Sequence, residues 1–293
     1  MLKLSIMKII FIALCISLIS CQKEYPIADT GNAEEAARLS GNNVFSLRTN
    51  DVPETQPLTY VPITLSISEN CGGFWRGLPA IYNSTTKKYP LLIHLTGESK
   101  LGDGSAADLA TIASPLHSSL KNKSFPPNFV SGGKNFSFIV ISPQFKVWPT
   151  ANDINEIVNY FTSTLRIDKT RIYVSGLSMG GGVTWDYGAK YASKVAAIVP
   201  VCGSHTPTQT KAKIIASANL PVWAFHNELD PRVPVVKTID FVNMINKFHP
   251  GIAAKMTIDP SETLGHNAWD KAFSQTYKEN NMNIYQWMLQ YHR

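Results

Sequence analysis

The chain has 293 residues, of which 44% are hydrophobic and 16% are charged, and its formal net charge is +6. This length suits one large α/β domain, and the spread of positive charge without a basic block excludes a typical nucleic-acid partner. The seven histidines and four cysteines show no paired spacing typical of a zinc site. No glycine-rich dinucleotide fingerprint follows a strand either, so neither a metal nor another cofactor is implied.

Residues 1–20 carry the pattern of a secretory leader. Two early lysines precede an apolar run over 9–19 that is too short to span a membrane but is typical of a signal peptide. The sequence Leu18-Ile-Ser-Cys21 resembles a bacterial lipobox, in which the leader is cleaved before a cysteine that is then acylated. An ordinary signal peptide with an incidental cysteine is the alternative. Acylation of Cys21 would anchor the protein, because two or more acyl chains hold a protein at a membrane.

Residues 21–58 are predicted to form a flexible tether, since they are polar and show no sustained hydrophobic period. The folded domain is then expected over 59–293. Together, leader and tether predict a lipid-anchored protein of the bacterial cell envelope, at the outer membrane or the cell surface, with the membrane as a partner. We expect the domain to be a monomer.

From residue 59 onward the sequence alternates strand and helix patterns. Strands are predicted over 61–67, 74–82, 89–95, 136–141, 172–174, 195–201, 220–226 and 253–258, and helices over 153–165, 183–191, 238–248 and 284–289. The first two strands are typical of an antiparallel sheet edge. The later strands are short buried runs separated by helices, which predicts a mostly parallel sheet covered by helices on both faces.

The segment Gly176-Leu177-Ser178-Met179-Gly180 lies between a predicted strand and a predicted helix. A G-x-S-x-G sequence in that setting is typical of a nucleophile elbow, a tight turn that lifts the serine oxygen clear of the sheet. The small flanking residues are needed because bulk would clash across the turn. The alternative is a glycine-rich turn whose serine is only small and polar.

A serine needs a base and an orienting carboxylate, which follow it in the order Ser, Asp, His in this kind of fold. Asp230 lies in the loop after strand 220–226, and His266 lies in the loop after strand 253–258. Open α/β sheets build their sites at that edge. Glu228 is the alternative carboxylate, and His226 is a weaker candidate for the base.

These motifs, 176–182, Asp230-Pro231 and Gly265-His266-Asn-Ala-Trp269, resemble the α/β-hydrolase superfamily. The similarity is greatest to its secreted branch of polyhydroxybutyrate depolymerase-like, feruloyl-esterase-like and prolyl-oligopeptidase-like enzymes, and it covers residues 60–293. It implies an α/β-hydrolase fold and a serine hydrolase that cleaves a small or polymer-derived carboxylic ester through a triad of Ser178, His266 and Asp230. A prolyl-oligopeptidase-like serine peptidase and a non-catalytic binding protein on the same scaffold are the alternatives.

The resemblance also implies an oxyanion hole made by backbone N–H groups. Met179, which follows the nucleophile, should supply one donor, and Glu98, in the loop after strand 89–95, should supply the other. The match in that loop is imperfect, because Thr96 stands where histidine is common. His94, just before the loop, is expected to be a core histidine.

Four residues are candidates for the substrate pocket because they lie in loops at the expected edge: Gln144, Trp148, His205 and Trp269. Packing within those loops is the alternative for the first three. An exported protein could pair Cys71 with Cys202 in a disulfide. Cys202 ends a buried run, however, and is interpreted first as a small core hydrophobe.

Overall fold

The computed structural model describes residues 52–260 and 265–293. The predicted leader, Cys21 and most of the predicted tether lie outside the described residues. Among the residues that it describes, no helix has the length and apolar character needed to cross a bilayer.

The strands of the described chain are β1 (Thr59–Ile63), β2 (Cys71–Leu78), β3 (Tyr89–Leu95), β4 (Phe129–Ser131), β5 (Lys134–Phe136), β6 (Ile139–Phe145), β7 (Ile167–Leu177), β8 (Ala197–Val201), β9 (Trp223–Asn227) and β10 (Lys255–Asp259). The helices are α1 (Ala106–Ala110), α2 (Pro115–Lys121), α3 (Ala151–Thr164), α4 (Met179–Lys190), α5 (Gln209–Ser217), α6 (Val236–Asn246), α7 (Trp269–Ala272) and α8 (Ile284–Met288). Two 3-10 turns lie at Tyr82–Ser84 and Glu98–Lys100.

The described strands other than β4 and β5 form one sheet, in the order β1-β2-β6-β3-β7-β8-β9-β10. β2 is antiparallel to both β1 and β6, whereas the pairs from β6 to β10 are parallel. β4 and β5 form a separate hairpin. The sheet confirms the prediction of an α/β-hydrolase fold, including the antiparallel edge.

Helices cover both faces of the sheet. Ile93 of β3 belongs to a buried cluster with residues of α3, α4, α5 and α6, while the adjacent Leu92 belongs to a second cluster with residues of α2, α7 and α8. Neighbouring residues of a strand point to opposite faces, so the two clusters are the two sides of one sheet. The continuous apolar runs of the strands follow from this double burial.

Cys71 and Cys202 are both buried and both free. The alternative of a disulfide between them is therefore wrong, and the interpretation of Cys202 as a small core hydrophobe is confirmed. Burial raises the pKa of the Cys71 thiol to about 12. Both side chains are thus neutral thiols at ordinary pH.

The carboxyl ends of the parallel strands meet at one edge of the sheet, and the functional candidates follow them. Thr96 and the 3-10 turn follow β3, Ser178 follows β7, and Asp230 follows β9. His266 follows β10 after residues 261–264. Chain reversals at this edge bring these distant segments together.

Candidate active site

Ser178 lies in the turn between β7 and α4 with φ 55° and ψ −114°, a backbone conformation that residues other than glycine rarely adopt. A Cβ added at Gly176 would lie 2.5 Å from the carbonyl carbon of Gly180, and one added at Gly180 would lie 2.5 Å from the oxygen of Leu95. The backbone N–H of Ser178 donates to Val201 across the turn at 2.9 Å. The structure thus has the sharp turn that the motif predicts, and the glycines allow it.

Ser178, His266 and Asp230 form one continuous chain of hydrogen bonds. A carboxylate can only accept, so His266 Nδ1–H donates to Asp230 Oδ2 at 2.6 Å. His266 Nε2 then accepts from the hydroxyl of Ser178 at 2.8 Å. The order Ser, Asp, His in sequence becomes the order Ser, His, Asp in space.

The Asp230 side chain is fully buried, whereas His266 is 10% exposed. A buried carboxylate is costly unless its oxygens accept hydrogen bonds. Asp230 Oδ1 accepts from the backbone N–H groups of Arg232 at 2.8 Å and Val233 at 3.0 Å. Those two bonds leave Oδ2 free to face the imidazole.

The two alternative residues occupy different surroundings. Glu228 is exposed in the loop, and the carboxylate that bonds His266 is that of Asp230. His226 is buried, donates from Nε2 to the oxygen of Val233 at 2.9 Å and accepts at Nδ1 from Thr238 at 2.8 Å. Burial lowers the pKa of His226, so it is a neutral support beneath Asp230 at 3.4 Å.

The predicted oxyanion donors begin two helices. Met179 is the first residue of α4, and Glu98 is the first residue of the 3-10 turn that follows β3. The first N–H groups of a helix have no acceptor within it, so both remain free to bind an anion. The loop is held against the elbow, since Gly180 N–H donates to Thr96 at 3.2 Å and a Cβ at Gly97 would lie 3.7 Å from that of Ser178.

A cleft of about 370 Å³ opens beside Ser178. Trp269, one of the four predicted pocket residues, lines it, and its ring meets the His266 ring edge to face with 5.1 Å between centroids. The cleft is lined by Gly97, Glu98, Ser99, Lys100, Ala113, Ser114, Leu177, Ser178, Arg232, His266 and Trp269.

Gln144 lies elsewhere than expected. It is fully buried at the end of β6, and its Nε2 donates to the backbone oxygens of Lys100 at 3.1 Å and Asp108 at 3.0 Å. Gln144 therefore supports the loop after β3 from below and does not line the cleft, which corrects the expectation of a pocket residue. The strand continues past Pro143, so the side chain is held inside the fold instead of in a loop.

Trp148 and His205 lie together outside the 370 Å³ cleft. Their rings are nearly parallel, with 6.1 Å between centroids and 19° between planes. His205 Nδ1–H donates to Asp186 at 2.9 Å. The structure thus brings these two predicted pocket residues to each other.

The sequence did not identify several residues of the cleft. Ala113 and Ser114 reach it because the α1–α2 segment folds back over β3, where Ser114 hydrogen-bonds His94 at 2.9 Å. His94 is the core histidine that was expected, and burial lowers its pKa to about 3. Arg232 could have been found from its place two residues after Asp230, but nothing local marks Ala113 or Ser114.

Comparisons with known proteins agree with this architecture. The model of a family described as phospholipase/carboxylesterase matches residues 134–284. A bifunctional acetylxylan esterase/xylanase of Neocallimastix patriciarum is 25% identical over 153 residues, which cover 46% of this chain and 22% of that protein. The chain thus spans about a fifth of the length of this curated relative.

Solved structures show the same fold at low identity. A thermostable esterase has a TM-score of 0.56 and 20% identity, covering 80% of this chain and 63% of its own. A fluorophosphonate-binding serine hydrolase of Staphylococcus aureus has a TM-score of 0.54 and 16% identity, covering 80% and 99%. Since the family model spans more than half of the chain and includes Ser178, Asp230 and His266, the chain belongs to the phospholipase/carboxylesterase family of the α/β-hydrolase superfamily.

Proposed function

We propose that the protein is a serine hydrolase that cleaves a carboxylic ester through an acyl-enzyme. The observation that carries the proposal is the unbroken hydrogen-bond chain from Ser178 through His266 to Asp230. It lies at the edge of the sheet where this fold builds its sites, in a chain of an ester-hydrolase family.

In the first half-reaction, the Ser178 oxygen attacks the acyl carbon while His266 Nε2 takes the hydroxyl proton. Asp230 holds the imidazole in the tautomer with Nδ1–H and stabilises its charged form. The carbonyl oxygen becomes an oxyanion that accepts hydrogen bonds from the N–H groups of Met179 and Glu98. Collapse of this intermediate expels the alcohol, which takes the proton from His266, and leaves the acyl group on Ser178.

In the second half-reaction, a water molecule attacks the acyl carbon and His266 accepts its proton. The acid leaves, and the proton returns to the Ser178 oxygen. Because one imidazole serves both steps, its ring must stay aligned throughout. The 2.6 Å bond to Asp230 and the edge-to-face contact with Trp269 support that alignment.

The substrate we propose carries a short acyl group. Much of the cleft beside Ser178 is lined by polar and charged residues, among them Ser99, Lys100 and Ser114, and this lining suits a short acyl group better than a fatty chain. The curated relative bears the name of an acetylxylan esterase, which cleaves a two-carbon acyl group. A serine peptidase would use the same machinery, but the family match favours esters.

The test is turnover of p-nitrophenyl esters of increasing acyl length beside the matched p-nitroanilides. We expect the acetyl ester to be cleaved best, anilides to be cleaved far more slowly, and Ser178→Ala to remove nearly all turnover. Ser163→Ala changes an exposed serine near the end of α3, outside the cleft, and should leave turnover intact. Full turnover in Ser178→Ala would refute the proposal. Faster cleavage of anilides would indicate a peptidase, and no reaction of the wild type with any ester would indicate a binding protein.

A further inference from the structure

An exposed aromatic surface lies next to the nucleophile but outside the 370 Å³ cleft. Trp148 follows β6 and is 42% exposed, and its ring stacks on His205, which follows β8. We call the pair the Trp148–His205 platform. Among the tryptophans of the described chain, Trp148 alone is exposed.

The platform is adjacent to the catalytic turn. Ser204, the residue before His205, donates its backbone N–H to the oxygen of Ser178 at 3.2 Å. A Cβ added at Gly182, in the first turn of α4, would lie 2.7 Å from Cδ2 of His205. The imidazole of His205 therefore packs against the first turn of α4, directly after Ser178.

The platform is also held in a fixed orientation. His205 Nδ1–H donates to Asp186 Oδ2 at 2.9 Å, and Lys211 Nζ donates to Asp186 Oδ1 at 2.5 Å. Burial opposes ionisation of Asp186, but its hydrogen bonds to His205 and Lys211 outweigh burial and hold its pKa below the usual value. A charged Asp186 thus orients the imidazole, so a ligand finds the surface already arranged.

The chemistry of the surface is mixed. The indole offers one open apolar face, and no described residue hydrogen-bonds Nε2 of His205. Lys211 and Asp186 are partly exposed beside it. A flat apolar face with polar groups at its rim fits a sugar ring, whose C–H bonds pack on the negative face of an aromatic ring while its hydroxyls hydrogen-bond. An aromatic acyl group would instead need an enclosed apolar slot.

We propose that the Trp148–His205 platform binds a pyranose ring of a carbohydrate ester, holding the part of the substrate that lies beyond the scissile bond. This rests on the proposed esterase function and names its substrate class. The acyl group would occupy the small cleft at Ser178, and the sugar would stack on Trp148.

The first test compares two esters of one acid, an acetylated xylo-oligosaccharide and p-nitrophenyl acetate. We expect Trp148→Ala to lower the ratio of kcat/KM for the sugar ester to that for p-nitrophenyl acetate by about tenfold, mainly through a higher KM. Val147→Ala is the matched control, because Val147 is the adjacent residue, is 63% exposed and takes no part in the stack. It should keep the ratio of the wild type. An unchanged melting temperature in Trp148→Ala would verify that the fold is intact.

The second test measures binding without turnover. Ser178→Ala should bind the acetylated xylo-oligosaccharide in a calorimeter, and adding Trp148→Ala should weaken that binding by about tenfold. An equal loss of kcat/KM on both esters would mean that Trp148 supports the catalytic turn and would overturn the sugar site. If Trp148→Ala left kcat/KM unchanged on both esters, or affected only esters of aromatic acids, the sugar site would also be overturned. If the wild type cleaves neither acetate ester but sugar binding still depends on Trp148, the esterase function fails while the sugar site stands.

Discussion

Ser178 combines a strained backbone with the hydroxyl that we propose as the nucleophile. A non-glycine residue in a sparsely populated region costs about 1–3 kcal/mol, and the surrounding structure must hold it there. Here the bond from Ser178 N–H to Val201 and the bond from Gly182 N–H to the oxygen of Ser178 provide that support, each at 2.9 Å. The strain aims the hydroxyl at His266 instead of into the helix.

The role of Asp230 can be tested separately from the roles of its neighbours. Asp230→Asn keeps the shape of the side chain but removes the charge, and the amide can leave His266 in the wrong tautomer. We expect kcat to fall by about three to four orders of magnitude. Glu228→Gln is the matched control in the same loop and should change kcat by less than about twofold. Comparable losses in the two variants, measured on one activated ester, would be evidence against the assignment.

At the scale of elements, the site depends on how closely the β7–α4 turn approaches β3. The added Cβ of Gly180→Ala would meet the oxygen of Leu95 at 2.5 Å, so β3 or the turn must shift. We expect this variant to lose about 1–3 kcal/mol of unfolding free energy and at least about tenfold in kcat. Gly251→Ala is the control, since its nearest contact is the end of the Asn219 side chain at 3.2 Å. Urea unfolding and kcat would be measured for both, and a Gly180→Ala protein with unaltered kcat would show that the turn tolerates a wider approach.

The sequence predicted the positions of the strongly apolar strands well, although β7 (Ile167–Leu177) was predicted only over 172–174. The predicted strand 89–95 coincides with β3 (Tyr89–Leu95), because such a run is buried on both faces. It did not predict α1, α2, α5 or the β4–β5 hairpin. These elements are short and depend on caps such as Ser105, Ser114 and Thr208, and on tertiary packing, more than on a periodic apolar face.

The same difference, between local sequence patterns and long-range packing, applies to the residues of the site. Ser178, Asp230 and His266 could be predicted because each follows a recognisable strand in a known order. Gln144 was misplaced, since the predicted strand ended at 141 while β6 continues through Pro143 to Phe145 beside the antiparallel β2. Pairing with another strand is a long-range property that a local pattern does not contain.

For the whole molecule, buried histidines predict how stability depends on pH. Burial lowers the pKa of His94 to about 3, so the folded state keeps it neutral while the unfolded chain protonates it near pH 6.5. The contribution of His94 to folding stability is fully present above about pH 6.5. It is lost as the pH falls toward 3, because in that range the unfolded chain binds a proton at His94 and the folded protein does not. We expect unfolding free energy to fall by up to about 1.4 kcal/mol per pH unit from this residue.

His94→Gln tests that contribution by urea unfolding at several pH values between 7 and 4. The variant should be less stable than the wild type at pH 7, because hydrogen bonds to Ser175 and Ser114 are disturbed. Its stability should also fall less steeply with acid. An identical slope in the two proteins would show that His94 does not couple folding to protons.

The cell-envelope location remains a prediction from the first 21 residues. If Cys21 is acylated, Cys21→Ser should leave the leader uncleaved or release the protein from the membrane fraction. Cys15→Ser changes the other cysteine of the leader and should have neither effect. Electrophoretic mobility and membrane fractionation would measure both variants, and unchanged attachment of Cys21→Ser would count against a lipid anchor.

We expect Ser178 to carry the acyl group during turnover. The most direct measurement is mass spectrometry of the protein quenched in acid during turnover of p-nitrophenyl acetate, followed by mapping of the acetylated peptide. We predict one added acetyl group on Ser178 in the wild type, almost none in His266→Ala, and none in Ser178→Ala. An acetyl group on Ser99 or Ser114 instead, or full turnover by Ser178→Ala, would rule out this role for Ser178.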